Sequence, residues 1–135
     1  MSTTPASLRM VEVSGAEALW LLEGSRLGRL VCVHKDAAIV RPAAHVLEFG
    51  RLVVRTPVPA AAVPQTVTYH VDEIRTATGT GWTVTATGPA EVITDPDERA
   101  HYRRTLTGWS HGPHDTLVRI HPQTVTGFRL ARAEG

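Results

Sequence analysis

The chain has little cysteine and little lysine. Cys32 is the only cysteine among 135 residues, so no disulfide can form within the chain. It lies in the apolar run 30–33, which is typical of a buried structural thiol rather than a reactive one. Lys35 is the only lysine, so the remaining basic residues are all arginines, whose planar guanidinium suits bidentate phosphate binding.

Long apolar runs and a strong charge of one sign are also absent. No segment approaches the roughly 20 apolar residues that a membrane helix needs, and the first residues lack a signal-peptide pattern. The net charge of +1 argues against general binding to nucleic acid or membrane surfaces. We therefore expect a cytoplasmic protein that has neither kind of partner.

The length and composition predict one globular domain with a core of its own, since 42% of the residues are hydrophobic and 20% are charged. We expect residues 1–12 to form a flexible N-terminal arm and residues 13–135 to form the domain. No internal repeat or linker divides the chain.

Runs of β-branched residues separated by turn residues predict an antiparallel barrel. Pro42 is expected to interrupt the second strand, because proline cannot donate to a strand ladder. Val67, Tyr69 and Val71 alternate along the fourth strand and lie on one face of it. The predicted strands are 27–34, 38–41, 52–55, 65–74, 82–93 and two stretches that flank residues 122–124.

Two helices are also predicted. Ser14 and Glu17 form a capping box at the start of the first helix, and Gly24 ends it as a C′ residue. The second helix begins at Asp95, has a proline and acidic residues in its first turn, and runs to about Leu106.

Several short motifs occur in a recognisable order. One strand ends in Arg55–Thr56, the longest strand opens with the Gly-Trp-Thr-Val of residues 81–84, and the Gly-Pro-Ala-Glu of residues 88–91 follows. Trp109 precedes the closing strands. With this order, residues 12–130 resemble the pyridoxamine-phosphate-oxidase-like, flavin-binding split-barrel family. The resemblance implies a mainly β fold, a split antiparallel Greek-key barrel with short flanking helices.

The resemblance further implies a homodimer that holds flavin mononucleotide (FMN), or a deazaflavin, in a cleft shared by both subunits. Arg41, Pro42, Ala43 and His45 would run beside the flavin ring, where backbone groups can hydrogen-bond its edge. By the same resemblance, Arg55–Thr56 would bind the phosphate through a guanidinium fork and a hydroxyl.

Trp82, Thr83 and Trp109 complete the set of cofactor-binding residues that the resemblance implies. Either tryptophan could supply an aromatic wall from the partner chain, and Thr83 stands where the family's strand start has serine. Core packing is the alternative for Trp82, and a surface that faces a partner is the alternative for Trp109.

One departure from the family pattern concerns the phosphate. Many flavin-binding members have a Gly-Thr-Lys element after Arg-Thr, whereas this chain has Pro-Val-Pro-Ala-Ala-Ala at residues 57–62. A charge-assisted hydrogen bond contributes about 1.5–3 kcal/mol, so its loss would weaken FMN binding by roughly tenfold to a hundredfold.

The seven histidines do not predict a metal site. The densest group, at residues 111–115, has no standard zinc spacing and no cysteine nearby. His34, His45, His70 and His121 lie on different strands, where one of them could ligate haem iron.

Two classes of function follow from the resemblance. The first is an FMN- or deazaflavin-dependent oxidoreductase of unknown substrate, in which the cofactor carries the hydride and no side chain acts as a catalytic residue. The alternative is a non-catalytic protein on the same fold that binds or sequesters a flavin or haem.

Overall fold

The computed structural model describes residues 7–109 and 114–133, which form two α-helices, one 3₁₀ turn and eight strands of a single sheet. In chain order the elements are β1 (Leu8–Val13), α1 (Gly15–Glu23), β2 (Leu27–His34), β3 (Ala37–Glu48), β4 (Arg51–Thr56), the 3₁₀ turn (Ala60–Ala62), β5 (Thr66–Ile74), β6 (Gly81–Val92), α2 (Pro96–Thr105), β7 (Thr116–Ile120) and β8 (Thr124–Arg132). Among the described residues, no helix has both the length and the apolar character that a membrane crossing requires.

Six strands close into an antiparallel barrel in the order β6-β5-β2-β3-β4-β7, because β6 also pairs with β7. The first part of β6 pairs instead with β8, and β1 extends the sheet beyond β8. This architecture confirms the predicted mainly β split barrel with short flanking helices.

The change of partner along β6 occurs at Gly88. A Cβ atom on Gly88 would overlap the backbone carbonyl of His121, so only glycine fits this close approach. On either side of it, the N–H of His121 donates to Pro89 O and the N–H of Gln123 donates to Thr87 O, both at 2.9 Å. The Gly-Pro kink thus lets one long strand pair with β8 along its first part and with β7 along its last part.

The barrel core is built from alternate residues of the strands, capped by α1. Val67, Tyr69 and Val71 are 2%, 0% and 1% exposed, so the face that they were predicted to share is the inner face of β5. Cys32 is buried as predicted, and burial raises the pKa of its thiol.

The expectation of a flexible arm is wrong for residues 8–12. These residues lie in β1, which pairs with β8 from Leu8 opposite Arg132 to Val13 opposite Gly127. The strand is exposed along nearly its whole length, so its sequence lacks the apolar alternation that signals a strand. Residues 1–6 lie outside the described residues.

Pro42 does not interrupt its strand. β3 runs for 12 residues from Ala37 to Glu48, and Pro42 lies opposite Arg29 of β2. The fixed φ of proline is compatible with an extended chain, and its carbonyl accepts a hydrogen bond from Thr56 Oγ1 at 2.9 Å. The prediction weighed only the missing N–H.

Both helices begin at their predicted caps. Ser14 Oγ accepts from the N–H of Glu17 at 3.1 Å, and Asp95 Oδ2 accepts from Glu98 N–H at 2.9 Å. The side chain of Glu17 contacts Arg129 at 3.1 Å, so it departs from the predicted capping box. Gly24 ends α1 with a right-handed φ of −78°, not as a left-handed C′ residue.

Candidate functional site

A groove of about 400 Å³ lies on the outer face of the barrel. Arg29 of β2 stands opposite both Pro42 of β3 and His70 of β5, so residues from three adjacent strands meet there. Trp109, from the segment after α2, covers one side of it. The lining residues are Leu27, Gly28, Arg29, Pro42, His70, Asp72 and Trp109.

The polar wall of this groove is a hydrogen-bonded cluster. Asp72 Oδ2 accepts from Arg29 Nη1 at 3.2 Å and lies 3.1 Å from His70 Nε2. His70 Nδ1 lies 2.9 Å from Thr85 Oγ1, and Thr83 Oγ1 lies 3.3 Å from His70 Nε2. The Arg29 side chain is 57% exposed, so its guanidinium can turn towards an anion in the groove.

The floor of the groove depends on Gly28. A Cβ atom at this position would lie 2.6 Å from Tyr69 Oη and 2.8 Å from His70 O, both closer than van der Waals contact allows. Glycine therefore lets the β2 backbone approach the Tyr69 hydroxyl directly.

His45 lies behind this floor and faces the core. Its Nε2 lies 3.1 Å from Leu22 O and 3.1 Å from Ser25 Oγ, and its Nδ1 lies 2.6 Å from Tyr69 Oη. A carbonyl can only accept, so Nε2 carries the proton and Nδ1 accepts from the Tyr69 hydroxyl. Burial lowers the pKa of His45, which favours this neutral form.

The His45 network therefore serves structure. With its proton on Nε2, His45 cannot take a proton from Ser25, so the two do not form a nucleophile–base pair. The side chain is only 3% exposed, and its Nδ1 is occupied by the tyrosine hydroxyl. The predicted place of His45 beside a flavin ring stays a prediction, which this geometry does not favour.

Arg55 is held by other parts of its own chain. Its Nε and Nη2 each donate to Asp115 at 2.8 Å, and its Nη1 donates to Arg103 O at 3.1 Å and Leu106 O at 3.0 Å. These bonds use most of its N–H groups, and the side chain is only 14% exposed. The hydrogen bond to Asp115 raises the pKa of Arg55, and the same bond lowers the pKa of Asp115.

Thr56 is completely buried and donates its hydroxyl proton to Pro42 O at 2.9 Å. A phosphate is an acceptor, so it would have to displace this bond. The predicted phosphate contacts of Arg55 and Thr56 stay predictions, and the observed hydrogen bonds argue against them.

The other predicted residues divide into two groups. Pro42 and Trp109 line the groove and Thr83 contacts its His70, so these three are brought together. Trp109 is oriented by its indole N–H, which donates to Arg55 O at 2.8 Å.

The remaining three do not reach the groove. Ala43 is completely buried, and Arg41 is exposed and donates to Val40 O at 2.9 Å. Trp82 lines a different cleft, which Trp20 of α1 also lines.

Sequence reasoning missed Arg29 and Asp72 and gave His70 no role in a flavin site. For His70 and Asp72 a signal was available in the sequence, because both residues occupy the strand face opposite Val67, Tyr69 and Val71. Arg29 could not be placed, because its role depends on the register between β2 and β5.

The hypothesis that one of the histidines ligates haem iron stays a prediction. Residues 111–113 of the predicted loop cluster lie outside the described residues, and within the described ranges no group of three or more His, Cys, Asp or Glu could hold a metal ion. Both ring nitrogens of His45 and of His70 already have hydrogen-bond partners, so neither is free to ligate haem iron without a rearrangement.

Comparison with known proteins agrees with the fold. The family model described as pyridoxamine 5′-phosphate oxidase matches residues 14–129. The chain belongs to the pyridoxamine 5′-phosphate oxidase family. Among curated relatives, the uncharacterized protein Rv0080 of Mycobacterium tuberculosis is 34% identical over 137 residues, covering 94% of this chain and 90% of that protein.

Two solved structures show the likeness of this family member in three dimensions. One is the crystal structure of a protein from Corynebacterium glutamicum that is 25% identical to this chain. The match covers 98% of this chain and 100% of that protein, with a TM-score of 0.72. The FAD-binding protein from Mycobacterium smegmatis is also 25% identical, covers 90% and 98% of the two chains, and has a TM-score of 0.65.

Proposed function

We propose that this protein binds a flavin ring in the groove between Pro42, Arg29 and Trp109, and that the bound flavin makes it an oxidoreductase. Family membership supports a flavin ligand, as does the likeness to the FAD-binding protein of Mycobacterium smegmatis. The flavin would supply the hydride chemistry, and the chain would bind it, orient it and exclude water. FMN and a deazaflavin remain the specific candidates.

The groove suits a planar heteroaromatic ring. Leu27, Pro42 and the indole of Trp109 offer apolar surface for its faces, and the half-buried Gly28 offers backbone polar groups for its edge. The volume of about 400 Å³ lies within the range of small-molecule sites. Pro42 and Trp109 were both predicted to be cofactor-binding residues, and their meeting in one groove carries the proposal.

We assign the contact with the anionic flavin tail to Arg29 in place of Arg55. Arg29 is the more exposed of the two, and within the described ranges its side chain contacts only Asp72, at 3.2 Å. An exposed ion pair contributes only about 0–1 kcal/mol, so a phosphate can compete for this guanidinium. By contrast, releasing Arg55 would break several bonds at once.

A second copy of the chain would complete the site. Leu27, Val33 and Val40 are 57%, 60% and 45% exposed, and strand register places them on the same outer face as Arg29 and Pro42. Several exposed apolar residues on the face that carries a groove are typical of a subunit interface. This supports a homodimer with the flavin at its interface. The cytoplasmic location stays a prediction.

A non-catalytic flavin-binding protein is the second candidate. It is favoured by the occupied hydrogen bonds of Arg55 and Thr56, which leave the tail with fewer fixed donors than the family pattern would provide. Such a protein would hold a flavin without passing its electrons to a substrate.

The test is a titration of the purified protein with FMN, FAD and riboflavin, followed by visible absorption and repeated with Arg29→Ala. We expect Arg29→Ala to weaken FMN about tenfold, the effect of one charge-assisted hydrogen bond, and to leave riboflavin unchanged because it lacks a phosphate. Arg51→Ala, which removes an exposed arginine of β4 outside the groove, is the matched control. Absence of binding for these three flavins and for a deazaflavin would contradict the proposal.

Turnover separates the two candidates. With flavin bound, an oxidoreductase should reoxidise a reduced nicotinamide or reduced deazaflavin in the presence of an electron acceptor, whereas a storage protein should bind flavin without turnover.

The homodimer is tested by sedimentation velocity. We expect Val33→Glu and Val40→Glu each to shift a dimer towards monomer, because a carboxylate would be buried without a partner. A wild-type protein that sediments as a monomer with flavin bound would contradict the shared site.

A further inference from the structure

A second cleft, of about 510 Å³, lies on the α1 side of the barrel. It runs between the end of α1 and the adjacent ends of β5 and β6. Its lining residues are Trp20, Leu21, Glu23, Gly24, Glu73 and Trp82. None of these residues lines the groove proposed for the flavin.

Two indoles face this cleft. Trp20 is 67% exposed, an unusual position for the largest apolar side chain, and Trp82 is half-buried against the barrel core. Tryptophan is the aromatic residue with the strongest attraction for a cation over its ring face. Two indoles on one cleft are therefore suited to contact an organic cation.

The charged groups that line the cleft are both carboxylates. Glu23 and Glu73 are exposed, and neither forms an ion pair with another side chain in the described part of the chain. Three arginines, Arg26, Arg75 and Arg129, line adjoining depressions and not this one. Arg129 lies opposite Trp82 on β8, and its guanidinium is paired with Glu17 at 3.1 Å. The side chains that line the cleft itself thus favour a positive ligand.

The end of α1 adds to this field. The helix finishes at Glu23 with Gly24 as its cap, and its last turn carries no basic residue to offset the negative end of the helix dipole. Leu21, which is 7% exposed, gives the cleft an apolar floor. Indoles, carboxylates and a helix C-terminus therefore favour the same class of ligand.

We propose that the cleft between Trp20 and Trp82 is a binding site for an organic cation of the alkylammonium class. The indole faces would contact the alkyl groups on nitrogen, while Glu23 and Glu73 would balance the charge. This site is independent of the flavin groove, so flavin and cation would bind together.

The probe for the test is choline, followed by isothermal titration, with 3,3-dimethyl-1-butanol as the neutral compound of the same shape. We expect choline to bind at least about tenfold more tightly than the neutral compound, because only choline gains cation–π and carboxylate attraction. Equal affinity for the two compounds, or no binding of choline at millimolar concentration, would overturn the proposal.

Variants locate the site. Trp20→Ala should weaken choline about tenfold, and its fold should survive because the side chain is mostly exposed. Glu73→Gln should weaken choline several-fold, while Glu12→Gln, a matched change on exposed β1, should have no effect. Unchanged affinity in Trp20→Ala and Glu73→Gln, each shown folded by circular dichroism, would overturn the assignment.

Competition with flavin is the last arm. Choline affinity that is the same with and without saturating FMN supports a separate site. Displacement of choline by FMN would show that the Trp82 cleft belongs to the flavin site, and the proposal would then be wrong even though flavin binding itself stands.

Discussion

Arg55 and Arg29 have the same side chain but lie in two different environments. Arg55, at the end of β4, is 14% exposed and bonded to Asp115 and to two carbonyl groups near the end of α2. Arg29, on the outer face of β2, is 57% exposed, and among the described residues its side chain is bonded only to Asp72. The first guanidinium joins separate parts of the chain, whereas the second remains available to a ligand.

The surroundings of the two arginines explain the difference. Gly108 lies against the Arg55 guanidinium, so closely that an added Cβ would come within 3.0 Å of it, and Arg103 also contacts Asp115 at 3.5 Å. Arg29 instead faces a groove that is open to water. A strand-end arginine in a family motif therefore need not be the one that binds the ligand.

Replacing each arginine by alanine gives the largest expected contrast. Arg55→Ala should lower the free energy of unfolding by about 2–4 kcal/mol, because it leaves the Asp115 carboxylate and two carbonyls without their donor in a partly buried place. Arg29→Ala should cost less than about 1 kcal/mol, as expected for an exposed ion pair. Urea unfolding measures both, and equal losses would contradict the distinction.

The glycine beneath the Arg29 groove should be the next most sensitive position. Gly28→Ala would press a methyl group against Tyr69 Oη and His70 O, and overpacking of this kind costs about 1–3 kcal/mol. Gly15→Ala in α1 is the matched control, because its Cβ would meet no atom within 4 Å and alanine favours a helix. Thermal unfolding should show a lower Tm for Gly28→Ala only. If both variants are as stable as the wild type, the close approach is wrong.

The His45 network and the Arg55–Asp115 bond should lose their contributions to stability in different pH ranges. Burial lowers the pKa of His45 from its ordinary 6.5, so the unfolded chain takes up a proton first as the pH falls. The contribution of His45 to the free energy of unfolding is complete above pH 6.5. Below that pH it decreases, by at most about 1.4 kcal/mol per pH unit, until the folded-state pKa is reached. The Arg55 bond instead lowers the pKa of Asp115, so that contribution is complete above pH 3.8 and is lost at lower pH.

Urea unfolding from pH 7 to pH 5 measures the His45 contribution. His45→Asn should flatten the dependence in this range, whereas Asp115→Asn should leave its slope unchanged. A wild-type stability that is constant over this range would show that His45 does not titrate as a buried base.

The barrel could be predicted because its signals are local. β5 alternates with period two, and Ser14 and Asp95 mark helix starts within three residues of the N–H groups that they cap. β1 could not be predicted, because it is exposed and its position depends on pairing with β8, more than 100 residues away in the chain.

The site was only partly predictable for the same reason. Pro42 and Trp109 could be named from motifs, but their meeting with Arg29 depends on the register of β2 against β3 and β5. Whether Arg55 is available to a ligand depends on Asp115, which lies 60 residues further along the chain. Local patterns identify residue types, and long-range contacts decide which of them are free to bind.

The most direct measurement is the quenching of FMN fluorescence on titration with wild-type protein, Trp109→Leu and Trp82→Leu. Ring stacking contributes about 0.5–1.5 kcal/mol, so we expect Trp109→Leu to weaken FMN up to about tenfold and to reduce quenching in the complex. Trp82→Leu should bind and quench FMN as the wild type does. If Trp82→Leu loses FMN while Trp109→Leu retains it, the flavin does not occupy the Arg29 groove.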